Sequence, residues 1–414
     1  MAFRLFVQDL HMAWYYYIAW TAIISQLLFI LLCYKNYRYA IAKFKKQRIW
    51  QELQVALIIP CKGLDPEFHK NIASSFDQDY ENYNLWFVVQ DKSDPAYEQL
   101  CNLKDELAEK SKAQEIKILI AGLSKACSQK IHNLLYCCKR IPEGTDILAF
   151  ADSDACLRPD WLRNIVWPLR QSKIGISTGY RWFIPKQNNS ATLILAAVNA
   201  KIAQLLGNSP FNLAWGGSMA IRKETFRSLE IEKIWQKALS DDLSLSYAVK
   251  KAGKKIAFVP ACLVASYEST TWAQFFEFGR RQFLITRVTA PRTWWFGFFS
   301  SLYSVLGLYA GAALAICAAV SAFGNLYLFT AVPLVFLVGQ FIRAILRQRM
   351  AAQLLAKDAS KMKAAATADI LTCWLTSPLL LFLILSSAFG RTIIWRGIKY
   401  KLLGPTETIV LGDA

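Results

Sequence analysis

The sequence is poor in charged residues and has few histidines. Charged side chains make up 19% of the 414 residues and there are 3 histidines, whereas an average soluble domain is roughly 25% charged. So little charge argues against a purely soluble enzyme. The 54% hydrophobic content excludes a disordered or fibrous chain, and the length favours more than one structural unit.

Several common catalytic and metal-binding patterns are absent. The sequence contains no HExxH, GxSxG or GxxxxGK(S/T) segment, so it does not support a zinc protease, a serine hydrolase or a P-loop enzyme. The 10 cysteines show no CxxC pairing or other metal-ligand spacing. We expect them to be reduced residues of a cytoplasmic core.

Long runs without charge predict membrane segments. Residues 12–34 form an uncharged run of 23 residues, enough for one transmembrane helix, because about 20 apolar residues cross the hydrocarbon core. The 50 uncharged residues 293–342 suit a two-helix hairpin hinged near Gly324-Asn325. A third run, 370–390, contains Pro378 and either spans the bilayer or forms a re-entrant or interfacial segment.

The net charge of +18 is compatible with a nucleic acid, an anionic membrane or an anionic substrate as partner, and its position decides among them. Three stretches next to the apolar runs, 35–48, 343–363 and 391–401, hold 16 basic residues and one acidic residue, or +15 of the total. Lysine and arginine beside membrane spans mark the cytoplasmic side and attract anionic headgroups. The charge therefore predicts an anionic bilayer surface as partner and no nucleic acid.

This charge distribution also predicts the orientation of an integral membrane protein. The N-terminus lies outside, and the central domain, residues 50–268, is cytoplasmic. If 370–390 crossed the bilayer, the basic tail 391–414 would lie outside, against the positive-inside rule. A re-entrant or interfacial segment at 370–390 removes this conflict and is the favoured interpretation.

The central domain alternates strand-like and helix-like segments. Alternation of this kind predicts an α/β fold with a mostly parallel sheet and helices on both faces, in which ligands bind beyond the carboxyl ends of the strands. The strand-like runs are residues 55–59, 85–89, 116–120, 147–150 and 174–178, and helical patterns cover 67–76 and 95–108.

Carboxylates follow two of these strands. Asp91 lies after the run 85–89, where it could accept hydrogen bonds from a base or a ribose, although a turn is an equally simple role. Asp152 and Asp154 flank Ser153 after the run 147–150. That spacing suits one divalent cation on a diphosphate, or else a helix cap or an acidic turn.

Three further segments are candidates for binding or chemistry. The Asp241-Asp242 pair precedes a helical pattern, where it either caps the helix or supplies a general base. Trp215-Gly216-Gly217 allows close backbone approach to a ligand, or forms a tight turn into a strand. The aromatic and arginine-rich segment 269–292 predicts an amphipathic interfacial helix that adheres to the membrane or holds phosphates; its candidate side chains are Arg281, Gln282 and Arg287.

Taken in their order along the chain, these motifs resemble those of the family 2 and family 21 glycosyltransferases. The finer match is to ceramide glucosyltransferases and their bacterial relatives. The stretch Val89-Gln-Asp-Lys-Ser-Asp-Pro-Ala96 is similar to the VQDxxDPA segment of that group, and Lys130-Ile-His-Asn-Leu134 to its KxxNL segment. Residues 216–223 and 395–400 also resemble its sequence, and the overall likeness covers about residues 12 to 402.

The resemblance implies a GT-A fold, Rossmann-like and anchored by membrane helices. It also implies inverting transfer of a hexose, usually glucose from UDP-glucose, onto a lipid hydroxyl such as that of ceramide, in a bacterial inner membrane. Asp242 would be the base, and Asp152 and Asp154 would hold Mg²⁺ or Mn²⁺. The resemblance further assigns nucleotide-sugar contacts to Pro60, Lys62, Asp91, Lys130 and Asp152, and acceptor or diphosphate contacts to Trp215, Gly216, Gly217, Arg281, Gln282 and Arg287.

One departure from the family pattern bears on the acceptor and on the diphosphate contact. The (Q/R)xxRW motif of the family would begin at Arg281-Gln282, but Leu284-Ile285 stand where it has Arg-Trp. Diacylglycerol, a hopanoid or another lipid alcohol are therefore alternative acceptors. A growing polysaccharide is a further alternative, although polysaccharide synthases usually have more membrane spans and an intact form of this motif. A membrane scaffold with a decayed site is a further alternative, against which the presence of all three carboxylate positions argues.

Overall fold

A computed structural model describes residues 2–46, 48, 52–321 and 326–413. Its central domain contains one seven-stranded sheet in the order β3-β2-β1-β4-β6-β5-β7. β6 runs antiparallel to its neighbours β4 and β5, and the other neighbouring strands are parallel. The strands are β1 (Val55–Pro60), β2 (Tyr83–Val89), β3 (Glu115–Ile120), β4 (Ile147–Ala151), β5 (Ile174–Pro185), β6 (Ser218–Arg222) and β7 (Lys255–Glu268).

Helices cover both faces of this sheet, which explains why its inner strands are continuous apolar runs. β1 is buried along its whole length. Its side chains alternate between two cores, with Leu57 and Ile59 in one apolar cluster and Ala56 and Ile58 in the other. The predicted α/β fold with a mostly parallel sheet is confirmed. The helices of this domain are α2 (Phe68–Phe76), α3 (Pro95–Leu107), α4 (Gln129–Cys138), α5 (Trp161–Val166), α6 (Ser190–Ala203), α7 (Lys223–Ser228), α8 (Ile231–Trp235) and α9 (Asp241–Lys251).

Within the described residues, three helices are long and apolar enough to cross a membrane: residues 14–44, 291–320 and 326–354. The first belongs to α1 (Ala2–Phe44), which is longer than the predicted span 12–34 at both ends. The second follows α10 (Trp272–Thr289) and comprises α11 (Pro291–Val305), a π-helical turn (Leu306–Ala310) and α12 (Gly311–Ser321). The third is α13 (Leu326–Leu354). The predicted hinge at Gly324-Asn325 lies outside the described residues.

The segment after α13 is bent. α14 (Lys363–Leu371) and α15 (Thr376–Ser386) meet at 89°. α14 is held to α13 by a buried ion pair, in which Nε of Arg347 lies 2.6 Å from Oδ2 of Asp369. The helical chain therefore turns within the apolar run 370–390 instead of continuing straight through it.

Within the basic tail, residues 392–413 form a second sheet, which was not predicted from the sequence. Its three antiparallel strands are β8 (Thr392–Trp395), β9 (Ile398–Gly404) and β10 (Glu407–Asp413). Along β9 the apolar side chains of Ile398, Tyr400 and Leu402 are buried, while the intervening lysines are exposed. This alternation covers only five residues. Its two lysines were interpreted as part of a basic segment beside the membrane, so the strand pattern was not recognised.

Candidate active site

The carboxyl ends of the parallel strands bring most of the predicted site residues to one edge of the sheet. Lys62 follows β1, Asp91 follows β2 and Asp152 follows β4. The antiparallel β6 starts at this same edge, because Ala151 at the end of β4 pairs with Ser218. Trp215, Gly216 and Gly217, the residues that lead into β6, therefore lie beside Asp152, and they form the tight turn that was one of their two predicted roles.

Lys130, near the start of α4, joins two carboxylates at the centre of this edge. Its Nζ atom lies 2.7 Å from Oδ1 of Asp152 and 3.0 Å from Oδ2 of Asp241. Burial lowers the pKa of the Lys130 ammonium, but Asp152, Asp241 and Asp242 raise it by more, so the group stays charged. Burial raises the pKa of the Asp241 carboxyl to about 7, although Lys130 lowers it.

Asp242 is the member of the acidic pair that is hydrogen-bonded to the Gly216 turn. The N–H of Gly216 donates to Oδ2 of Asp242 at 2.9 Å, and the N–H of Leu243 donates to Oδ1 at 2.7 Å. The helix cap is Ser240, whose side chain accepts from the N–H of Leu243 and whose hydroxyl donates to Asp242. The first turn of α9 thus orients Asp242, and the capping role falls to Ser240.

The two glycines are required by the space around them. A Cβ atom on Gly216 would lie 2.3 Å from Oδ2 of Asp241, and one on Gly217 would lie 2.8 Å from Oδ2 of Asp152. A Gly217 side chain would also meet the Trp215 ring at 2.3 Å. Only glycine allows the backbone to approach these carboxylates so closely.

Asp154 lies in a second group of charges, near the carboxyl end of β7. Its Oδ2 accepts from Ser266 at 3.3 Å, while its buried Oδ1 has no hydrogen-bond partner within the described residues. Burial, followed by the charge of Asp152, raises the pKa of Asp154 to about 6, and Arg181 lowers it. Asp65 accepts a hydrogen bond from Ser153, which ties the turn after β4 to the loop after β1.

Asp152 and Asp154 fit a divalent cation in part. Within the described residues, no three histidine, cysteine, aspartate or glutamate side chains come together as a metal site. Two carboxylates with an unpartnered oxygen suit Mg²⁺ or Mn²⁺, since these ions take oxygen ligands and keep positions for phosphate and water. The donor set therefore fits a cation that arrives with a diphosphate and does not fit a closed protein cage.

Asp91 belongs to a separate part of the same edge. Its Oδ1 accepts from the backbone N–H of Ser93 at 2.8 Å and from the hydroxyl of that residue, and these bonds lower the pKa of Asp91. The nearby Asp94 accepts from the N–H of Gly63 at 2.8 Å, which joins the loops after β1 and β2. Pro60 is the last residue of β1 and lies at the same edge of the sheet. The arrangement leaves Asp91 half-buried at the exit of β2.

Aromatic rings and Arg181 line the side of the edge that faces α10. The Trp215 ring packs edge-on against Tyr180, with ring centroids 6.0 Å apart. The Arg181 guanidinium lies 5.8 Å from the centroid of Trp215 and 5.2 Å from that of Phe278 on α10. A flat apolar ring beside Asp242 and Gly216 gives an acceptor or a sugar a surface on which to pack.

The three predicted residues of α10 do not share one position. Nη1 of Arg281 donates to the carbonyl oxygen of Ile394 at 3.4 Å. The Gln282 side chain is half-buried. Arg287 lies apart from the carboxylates, because its guanidinium donates to the carbonyl oxygens of Ala388 and Gly390 beyond α15. The structure therefore does not bring Arg287 together with the rest of the predicted site.

Comparison with known proteins gives the family. Residues 18–407 match the sequence pattern of glycosyl transferase family 21. The chain belongs to this family. The match covers the central domain and the apolar helices on both sides of it, so the resemblance inferred from the ordered motifs is confirmed, and the chain is a glycosyltransferase by family.

The similarity of this family 21 protein to individual known proteins is low. A segment of 82 residues is 32% identical to ceramide glucosyltransferase from Komagataella phaffii (strain GS115 / ATCC 20864), and it spans 19% of this chain and 16% of the relative. Among solved structures, the mannosyltransferase PcManGT from Pyrobaculum calidifontis in complex with GDP-Man and Mn²⁺ is 14% identical, with a TM-score of 0.42, over 89% of this chain and 97% of that one.

Sequence reasoning missed three charged residues of this family 21 site: Asp65, Arg181 and Arg396. Asp65 lies in the loop after β1, and its loop position was the available signal. Arg181 lies inside the long strand β5, where an arginine in an apolar run is unusual. Arg396 lies in the basic tail and bonds to Asp65, 331 residues away in the sequence. No local pattern predicts a contact of that range.

Proposed function

We propose that this family 21 protein is an inverting, metal-dependent hexosyltransferase that moves glucose from UDP-glucose onto a lipid hydroxyl such as that of ceramide. The observation that carries this proposal is the position of Asp242, hydrogen-bonded to Gly216 at the sheet edge that also holds Asp152 and Asp154. One edge of the sheet thus holds a carboxylate that can act as a base, two carboxylates that can face a phosphate, and aromatic side chains. This combination suits transfer from an activated donor to a hydroxyl.

The donor is proposed to lie across the strand ends. Asp91 is placed for the nucleoside, beside the loops of Pro60 and Lys62, and Asp152 and Asp154 for the diphosphate. A bound divalent cation would neutralise charge on the leaving diphosphate. Lys130 keeps Asp152 in position and neutralises part of the carboxylate charge, so that an anionic donor is not repelled from the edge.

Transfer is proposed to need one displacement. The acceptor oxygen forms a bond to the anomeric carbon while the bond from that carbon to the phosphate oxygen breaks, which inverts the configuration. The acceptor proton passes to Asp242, which the N–H groups of Gly216 and Leu243 hold in place. Asp241 is engaged with Lys130, so it has the structural role within the acidic pair.

The acceptor is proposed to come from the bilayer. α10 joins the site to the apolar helix that begins at residue 291, and Phe278 of α10 lies beside Arg181 and Trp215. We propose a cytoplasmic catalytic domain in a bacterial inner membrane. The 89° bend between α14 and α15, together with the return of the tail to this domain, supports a segment 370–390 that does not cross the bilayer.

The test is transfer by the full-length protein in lipid nanodiscs that contain ceramide. With radiolabelled UDP-glucose and Mg²⁺ or Mn²⁺, we expect a labelled lipid and stoichiometric UDP. Asp242→Asn should lower the rate by about 100-fold or more while UDP binding persists, whereas Asp105→Asn, at an exposed position on α3, should behave as wild type. Failure of the wild type to transfer glucose to any added lipid would contradict the proposal.

A further inference from the structure

The C-terminal sheet reaches the candidate site through one side chain, Arg396. A two-residue turn, Arg396-Gly397, joins β8 to β9, and Trp395 pairs with Ile398 across it. Both turn residues have positive φ, 48° and 80°, as a type I′ hairpin requires. The turn projects Arg396 onto the loop after β1, where its guanidinium donates to the carbonyl oxygen of Lys62 and to Oδ1 of Asp65.

This position is fixed by packing of the sheet that carries it. Leu284 and Ile285 of α10 share one buried apolar cluster with Leu239 and with side chains of the C-terminal sheet, namely Ile393, Ile398, Tyr400 and Leu402. The Tyr400 hydroxyl also contacts the backbone of Gln129, the residue before Lys130. Leu284 and Ile285 therefore form the apolar surface against which the hairpin that carries Arg396 packs.

Arg396 faces an excess of negative charge. Its Nη2 lies 2.9 Å from Oδ1 of Asp65. Burial lowers the pKa of Arg396, but Asp65, Asp154 and Asp152 raise it by more. Asp65 in turn accepts from Ser153, between the two proposed cation ligands. The guanidinium is thus placed against the turn at which the diphosphate is proposed to bind.

The Arg396 side chain is still 44% exposed. A guanidinium has five N–H donors, and the bonds to Lys62 and Asp65 use two of them. Arg280 and Arg287 of α10, in contrast to Arg396, donate to carbonyl oxygens at the end of α15 and just after it. Arg396 therefore combines a fixed position at the phosphate side with free donors.

We propose that Arg396 binds the diphosphate of the nucleotide-sugar donor, so that the C-terminal sheet forms part of the donor site. This inference rests on the proposed function. The planar fork of a guanidinium matches phosphate oxygens, and the group keeps its proton and its positive charge at neutral pH. As the bond between the anomeric carbon and the phosphate oxygen breaks, negative charge develops on that oxygen, and a fixed guanidinium stabilises it.

The test separates the phosphate contact from a general effect on the fold. Full-length wild type, Arg396→Ala, Arg396→Lys and Lys399→Ala are compared in detergent with Mg²⁺, by calorimetric titration of UDP and saturation-transfer NMR of uridine. Lys399→Ala is the matched control, because it removes an exposed charge from the same sheet. We expect Arg396→Ala to weaken UDP binding by about tenfold or more, Arg396→Lys to weaken it less, and uridine binding to be unchanged in all four proteins.

Two results would overturn the inference and leave the proposed function intact. One is equal UDP affinity in Arg396→Ala and wild type. The other is a parallel loss of uridine and UDP binding in Arg396→Ala and in Arg396→Lys, which would mean that the residue only supports the fold. A wild type that binds no nucleoside diphosphate, with GDP, ADP and CDP also tested, would overturn the proposed function and the inference together.

Discussion

The ammonium of Lys130 lies 2.7 Å from the carboxylate of Asp152. The lysine side chain is 17% exposed and also contacts the buried Asp241, so it compensates two acidic groups that would otherwise repel each other. Removing one partner of a buried ion pair leaves an uncompensated charge, which costs about 3 to 5 kcal/mol. Lys130 is therefore central to both the stability and the chemistry of the site.

We predict that Lys130→Met lowers the free energy of unfolding and abolishes transfer. The control is Lys139→Met, at an exposed position at the end of α4, which should change neither quantity measurably. The measurements are chemical denaturation and UDP release in the same preparation. Unaltered stability in Lys130→Met would contradict the placement of this lysine between two carboxylates.

A second prediction concerns the close approach at Gly217. An added Cβ would lie 2.3 Å from the Trp215 ring and 2.8 Å from Asp152, so Gly217→Ala must displace both side chains or shift the turn. We expect the transfer rate to fall by about tenfold or more, because a misplacement of 1 Å is enough for such losses. Gly144→Ala is the matched control, since no atom lies within 4 Å of its added Cβ, and a rate loss equal to that of Gly217→Ala would count against the argument.

The ion pair between α13 and α14 gives a third prediction. Asp369 is fully buried and Arg347 is 3% exposed, and Oδ2 of Asp369 also accepts from Gln348 at 2.6 Å. Asp369→Asn should destabilise the detergent-solubilised protein by about 3 to 5 kcal/mol, and the double variant Arg347→Met, Asp369→Leu should recover much of that loss. Thermal unfolding followed by intrinsic fluorescence would measure both, and equal melting temperatures for the two variants would contradict the expectation.

The end of β7 gives a prediction about pH. Burial, and then the charge of Asp154, raises the pKa of Glu268 to about 7 from an ordinary value of 4.5. A carboxyl whose pKa is raised on folding favours the folded state when protonated, so this contribution is lost as pH rises from about 4.5 to 7. We expect Glu268→Gln to be more stable than wild type at pH 8, by up to about 3 kcal/mol.

The Glu268 effect should disappear near pH 4, where the wild-type carboxyl is protonated in both the folded and the unfolded state. Melting temperatures at pH 4, 6 and 8 would be compared in the presence of EDTA, so that no cation changes the charge at Asp154. Glu277→Gln, at an exposed side chain on α10, is the control. A stability difference between Glu268→Gln and wild type that is constant across this pH range would contradict the electrostatic explanation.

The sequence predicted the parts of the site that follow directly from strand exits. Asp91, Asp152 and Asp154 follow the ends of parallel strands, which meet at one edge of the sheet. The Gly216-Gly217 turn reaches the same edge because the antiparallel β6 begins there. What it could not supply was contact at long range. Arg396 contacts Asp65 because the C-terminal sheet packs against Leu284 and Ile285. In the same way, spacing along α10 does not reveal that Arg287 contacts the residues after α15.

The anomeric configuration of the lipid product, measured by NMR, directly tests a single displacement with Asp242 as base. The wild-type protein in ceramide nanodiscs, given ¹³C-labelled UDP-α-glucose, should yield a β-linked glucosyl lipid, and Asp242→Asn should yield none above background. An α-linked product would contradict a single displacement with Asp242 as base, and so would a rate in Asp242→Asn close to that of wild type.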